Sequence, residues 1–308
     1  MKAEWSDEVL FPPANAIGYR LIYEAETWLR RICWTALLLS EGPAWATAID
    51  GSLRKRLEYQ AKSNSSRWYL GVDDEEELLW SSTQGQLATL LQMTSIQSTL
   101  ERICGLSGAL LAQRLQSIAH VRNTLSHNRA ITDDTLTVLK GDLVVVRAAV
   151  QRFKRSTLYA NMNLRSHGPD EIPDDLAEFV DVFQEQADAA SIRAGQQLVL
   201  SANEDFVELT RLPVEPFETW PDGKKLRTAF GMVSHLMLCV LANKNGDEIA
   251  VVLPRTLPLE DKREVLKRFV SPAVLQNSWT LVPPEEQDAS ASCWARLWFY
   301  ENKFPEHA

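Results

Sequence analysis

LQSIAHVRNTLSHNRAITDDT, residues 115–135, contains the end of one helix and the start of the next. Leu111, Leu115, Ile118 and Leu125 recur at spacings of three, four and seven, which places them on one face of a helix. Thr132 followed by Asp133 and Asp134 is a starting signal: a hydroxyl that accepts from a free backbone N–H, then two carboxylates at the positive end of the helix dipole. Leu136, Leu139, Leu143, Val146, Val150 and Phe153 continue as an apolar stripe. At the end of the first of these two helices stands Arg122-Asn123-Thr124-Leu125-Ser126-His127. The chain carries a formal net charge of -9, yet no Asp or Glu occurs between Arg102 and Thr132. That stretch is electropositive within an acidic protein. By helical angle Arg122 falls near Leu115 and Ile118, on the apolar stripe, where an arginine is costly without a partner.

Working upstream, Ile17, Leu21, Ala25, Trp28, Ile32, Ala36 and Leu39 describe a long first helix, which Gly42 and Pro43 stop. A basic segment, RKRLEYQAK, reads as a helix and the acidic run DDEEE at 73–77 as an exposed loop. Leu87, Leu90, Leu91, Ile96, Leu100 and Ile103 suggest one long second helix, with a break from Gly105 to Gly108 before the third. Four helices on short connections predict a bundle. Downstream, NMNLRSHGPDEIPDD has the Gly, Pro and polar density of a linker, followed by an acidic helix from Asp174 to about Ala190. QQLVLSA, FVELTRL, SWTLV and CWARLWFYE read as strands. MVSHLMLCVLANKNGDEIAVVLPR reads as a hairpin turning at Asn245 and Gly246, with His235 and Trp279, Trp294 and Trp298 as strand and core residues. Leu259–Phe269 reads as a helix. The expected organisation is multi-domain: an all-α bundle over 14–158, a linker and acidic helix over 159–195, and an α+β domain with an antiparallel sheet over 196–308.

Composition narrows the function. With 308 residues, 45% hydrophobic and 24% charged, the chain has a globular make-up and enough length for two domains. MKAEWSDEVLFPPA has no apolar run of targeting or membrane-spanning length, so a cytoplasmic protein with no membrane association is expected. Cys33, Cys104, Cys239 and Cys293 stand singly, as reduced and mostly buried thiols do, and no metal-ligand spacing is present. A pI of about 5.2 argues against non-specific coating of nucleic acid. No phosphate-cradling glycine loop, dinucleotide fingerprint, zincin helix or nucleophile elbow occurs. No cofactor and no metal are expected.

An arginine and a histidine without a metal set suit RNA cleavage by attack of the 2'-hydroxyl on the adjacent phosphate. An imidazole such as that of His127 can move protons, while the Arg122 fork can hold the phosphate and its transition-state charge. Five residues rotate a helix by about 140°, so Arg122 and His127 share no face of one straight helix. Either the helix ends before His127, or the site combines two protomers across a two-fold axis. Asn123 could orient the imidazole or contact phosphate. Glu26 and Arg30 form an i,i+4 pair that could reach the site from the first helix, and Arg152–Arg155 is a solvated helix end or a contact to RNA backbone.

The same residues resemble the signature of the HEPN superfamily, a four-helix bundle marked by Arg, four to six residues and His, often with a polar residue after the Arg. EAETWLRRICWTALL, GPAWATAI and LLWSSTQGQLATLL are similar to segments of one HEPN branch, so the resemblance covers about Ala14 to Phe153 and leaves the second half of the chain uncovered. It implies a metal-independent endoribonuclease that works as a homodimer, commonly in phage defence or toxin systems. Arg122 and His127 would be the catalytic pair with Asn123 in support, and His120, Ser126, Asn128 and Arg129 would contact RNA. The C-terminal domain would regulate or target, through a protein or ligand. The alternative is a non-catalytic HEPN module that dimerises and binds a partner protein or a nucleotide.

Overall fold

The structure, a computed structural model, describes residues 12–65, 78–157, 162–163, 173–194, 196–213, 229–243, 249–271 and 297–300. It is mostly helical, with a small, largely antiparallel sheet in the C-terminal part. The chain divides into two compact units, Met1–Cys33 with Ser82–Phe153, and Trp34–Ser81 with Lys154–Ala308.

The first unit is built from α1 (Pro13–Glu41), whose later turns are assigned to the second unit, together with four further helices. Gly42, at φ +70°, ends α1 as its N–H donates to Leu38 O. The predicted second long helix is in fact two. Thr83 and Gln86 form a reciprocal capping box that starts α3 (Gln84–Leu91), and a 3-10 turn at Thr94–Ile96 leads into α4 (Gln97–Cys104). The Gln97 side chain breaks the run. Its Nε2 donates to Leu91 O and Met93 O, occupying carbonyls that a continuing helix would use, while its Oε1 accepts from Gly108 N. Both pieces keep their apolar faces buried, so the periodicity ran through a break it could not register.

Gly105, at φ +69°, terminates α4, and Ser107 caps α5 (Gly108–Ser126). A Cβ on Gly108 would stand 1.8 Å from Leu91 O, so the close approach of α3 to α5 requires glycine there. Thr132 Oγ1 accepts from Thr135 N at the start of α6 (Asp133–Thr157). Leu21, Leu29, Leu87, Leu115, Leu139 and Phe153 are among the buried residues of this unit, and Trp28 meets Phe153 edge-on at 6.4 Å.

In the second unit Asp50 Oδ1 accepts from Ser52 N and Leu53 N at the start of α2 (Gly51–Ser65). Trp45 packs edge-on against Trp34. The sheet comprises β1 (Met162–Asn163), β2 (Gln196–Ala202), β3 (Phe206–Pro213), β4 (Cys239–Asn243), β5 (Ile249–Pro254) and β6 (Leu297–Tyr300), in the order β1-β2-β3-β5-β4-β6. All pairs are antiparallel except β4 with β6, which is parallel and sets Leu241 opposite Trp298. The antiparallel sheet expected is present; the one parallel pairing among the described strands is set by chain direction on return, which strand periodicity does not encode. The acidic helix α7 (Asp174–Ala194) and α8 (Leu259–Phe269) bury Leu176, Phe179, Val265 and Phe269 with Leu200, Leu209 and Val251 of the sheet. Arg255 donates from Nε and Nη2 to both Asp175 oxygens and from Nη1 to Asn203 O, tying α7 to β5 and the β2–β3 turn.

Gly231–Leu236 forms 3-10 helix, so the first part of the predicted hairpin is not strand, and His235 is exposed on that turn rather than in a core strand. Asn245, Gly246, SWTLV, Trp279, Trp294, Cys293, the DDEEE run and most of the expected linker lie outside the described residues. Cys33, Cys104 and Cys239 are buried, and none of the three is in a disulfide. Burial pushes the Cys33 thiol well up and the Cys104 thiol up to about 11. Among the described residues no helix is long and apolar enough to cross a membrane.

Candidate functional site

The end of α5 is shaped by local backbone chemistry. After Ser126 the chain leaves the helix at His127, and Asn128 adopts φ 54°. Asn128 N donates to Leu125 O at 2.9 Å and Arg129 N to Thr124 O at 3.2 Å. This is the paired bonding of a Schellman end, in which a left-handed residue lets its own amide and the next one cap the last free carbonyls. Asn tolerates that conformation better than other non-glycine residues. The helix thus ends at His127, whose amide still donates to Asn123 O, so the offset of about 140° from Arg122 is kept.

Every residue singled out from the sequence is exposed here: His120, Arg122, Asn123, Ser126, His127, Asn128 and Arg129. They differ in what already occupies them. Asn128 supplies the left-handed turn. The Ser126 hydroxyl donates back to Asn123 O at 3.1 Å. Arg129 offers its carbonyl to the neighbouring helix α1, at 3.1 Å from Asn15 Nδ2. His120 lies on the same angular face as His127 but two turns earlier, about 10 Å along the axis. Arg122 and His127 stand at the helix end, with Asn123 on the turn between.

Arg122 is exposed, although its angle places it on the apolar stripe. The buried stripe consists of Leu111, Leu115, Ile118, Val121 and Leu125, and Arg122 lies at its edge with 51% of its side chain exposed. A carboxylate does come near, from another helix: Glu26 Oε1 on α1 is 4.0 Å from Arg122 Nε. Glu26 is also paired with Arg30 at 3.1 Å and accepts from Gln84 Nε2, and Arg30 donates to Ser82 O. The i,i+4 pair expected on the first helix is formed and also reaches α5. Arg114, two turns earlier, is matched likewise by Asp142 on α6 at 3.1 Å, with Ser117 Oγ donating to the same carboxylate. The acid-free helix draws its counter-charges from its neighbours.

One face of α1 holds the helix end. Asn15, 3% exposed, brackets Ala130: its Nδ2 donates to Arg129 O, and its Oδ1 accepts from Ile131 N at 3.0 Å. Tyr19 Oη donates to Leu125 O at 2.6 Å. A Cβ on Gly18 would lie 2.9 Å from Ile131 Cδ1 and 3.1 Å from Leu125 Cδ1, so the missing side chain lets the loop settle against α1. Residues 15, 19 and 26 fall within about 40° of one another around a helix. Asn15, Gly18, Tyr19 and Gln84 were not found from the sequence. The signal available was a polar residue at the head of α1 in register with Glu26.

Chemically, the arrangement offers a guanidinium fork and an imidazole on a solvent-facing helix end. Among the described residues no group of three or more His, Cys, Asp or Glu side chains could hold a metal ion. Comparison with protein-family models, with curated proteins and with solved structures gives no match to this chain.

Proposed function

We propose that the chain is a HEPN-type endoribonuclease that cuts RNA without a metal, with α1, α3–α4, α5 and α6 as its four-helix bundle. The observation that carries this reading is the placement of Arg122 and His127, both exposed, on a helix end that Asn15, Gly18 and Tyr19 hold in one position. A phosphate needs accessible donors, and proton transfer needs a fixed imidazole. His127 removes the proton from the 2'-hydroxyl, the oxygen attacks the adjacent phosphorus, and the bond to the 5'-oxygen breaks as that oxygen takes a proton from water, while the His127 proton passes to solvent. Arg122, with Asn123 in support, holds the non-bridging oxygens. The products are a 2',3'-cyclic phosphate and a 5'-hydroxyl, so DNA is inert.

A homodimer through the bundle would set complementary Arg122 and His127 residues around one phosphate, with the C-terminal unit regulating or targeting the cut by binding a protein or ligand. A phage-defence or toxin role fits such an activity. A second reading has an observation of its own. Glu26 already stands at ion-pair distance from Arg122, as expected where the arginine only joins helices. On that reading the bundle is a non-catalytic interaction module.

Cleavage of mixed-sequence RNA by the purified chain separates the two. The ribonuclease reading expects activity in EDTA, cyclic phosphate ends, and a loss of about 10²–10⁴-fold in kcat for Arg122→Ala and for His127→Ala. Mixing these two inactive variants should restore part of the activity if each centre draws on both subunits. Wild type and variants equally inactive on RNA, with all of them folded, would leave the interaction module.

A further inference from the structure

Two exposed tyrosines border the Arg122–His127 end of α5. Tyr19 and Tyr23 lie one turn apart on α1, 38% and 58% exposed, and about 40° apart around the helix axis. The Tyr19 hydroxyl is anchored on Leu125 O, two residues before His127. Three residues beyond Tyr23, Glu26 approaches Arg122. Tyr23 therefore sits on the turn of α1 between the turn that meets Leu125 and the turn that meets Arg122. Arg20, also exposed, lies between the two tyrosines in sequence.

Building on the ribonuclease reading, we propose that Tyr19 and Tyr23 form a base-stacking subsite for an unpaired nucleotide beside the phosphate held at Arg122. The substrate class is then single-stranded RNA. An exposed aromatic face takes any base that is free to leave its neighbours, whereas the bases of a duplex are already stacked and paired. Cations near such rings hold the backbone, and here Arg122 on α5 and exposed Arg20 on α1 supply them, the α1 carboxylates Glu24 and Glu26 being held in ion pairs to Arg147 and Arg30. Because its phenol end is already tied to α5, the Tyr19 ring loses little freedom when a base settles on it.

The test uses the full chain carrying His127→Ala, so that RNA is bound and not cut. Fluorescence anisotropy with a labelled uridine oligomer and with a labelled RNA duplex measures affinity. Adding Tyr23→Ala should weaken single-strand binding about tenfold, the range for loss of one base stack, and leave duplex binding as it was. Tyr23→Phe keeps the ring and should stay within about twofold of the parent. With His127 restored, Tyr23→Ala should raise KM and keep kcat, because stacking away from the reacting atoms is retained in the transition state. Unchanged single-strand affinity for Tyr23→Ala overturns the subsite. So does a change in sedimentation in place of RNA affinity, which would mark a protein contact. Tyrosine-dependent binding by a chain that cuts nothing keeps the subsite and removes the ribonuclease reading; cutting with no tyrosine dependence does the reverse.

Discussion

Replacing Asn15 by Ala tests whether α1 holds the functional end of α5. The side chain is buried and makes one bond to each side of Ala130, donating to Arg129 O at 3.1 Å and accepting from Ile131 N at 3.0 Å. Each such bond is worth about 0.5–1.5 kcal/mol net, and a buried group left without a partner costs about 1–3 kcal/mol. Ile131 N is buried, so its loss carries the larger cost. The sum is about 2–4 kcal/mol, at the lower end if water enters the vacated space. For a protein of this size that is a fall in Tm of about 5–15 °C. Urea unfolding gives the free energy, and amide exchange at Ile131 gives its location. Exchange there should quicken while Leu115 and Ile118 stay protected. Asn15→Asp keeps the acceptor but buries a carboxylate with one oxygen against the Arg129 carbonyl, so at neutral pH it should be at least as destabilising as Asn15→Ala. A loss below about 0.5 kcal/mol with Ile131 exchange unchanged would refute the clamp.

Gly108→Ala should destabilise by about 3 kcal/mol or more, because the new Cβ would meet Leu91 O at 1.8 Å and backbone cannot swing aside; a thermal melt within about 2 °C of wild type would contradict this. Asn128→Gly should be as stable as wild type and Asn128→Ala about 1 kcal/mol less stable, since only the alanine resists φ 54°; equal denaturation midpoints would speak against the left-handed turn. Arg255 holds the Asp175 carboxyl below the usual range, chiefly by side-chain hydrogen bonding. A depressed folded pKa stabilises above the unfolded carboxylate range, and that contribution disappears as pH falls through the folded value. Asp175→Asn should therefore flatten the acid limb of a stability-against-pH curve, and an unaltered limb would remove the pair from the account. Cleavage by the wild-type chain should persist in EDTA; loss restored by magnesium would end the metal-free mechanism.

The sequence by itself determined the features that act within a few residues. Gly42 and Gly105 end helices at positive φ, and Thr132 with two aspartates starts α6, because capping depends on the side chain and φ/ψ preference of one short segment. The candidate residues were legible for a related reason: an acid-free run in an acidic chain is a property of composition. What only the tertiary structure decided depends on which turn of one helix lies against which turn of another. Glu26 meets Arg122 and Asn15 meets Arg129 across long separations in sequence, so the counter-charge and the clamp follow from helix register. Gln97, whose Nε2 bonds Leu91 O and Met93 O where the predicted second helix breaks, also accepts from Gly108 N, a contact that exists only once α5 has folded back on α3. The parallel pairing of β4 with β6 is of the same kind. Strand alternation specifies which side chains face a core, whereas the direction of a neighbouring strand follows from the path of the chain between them.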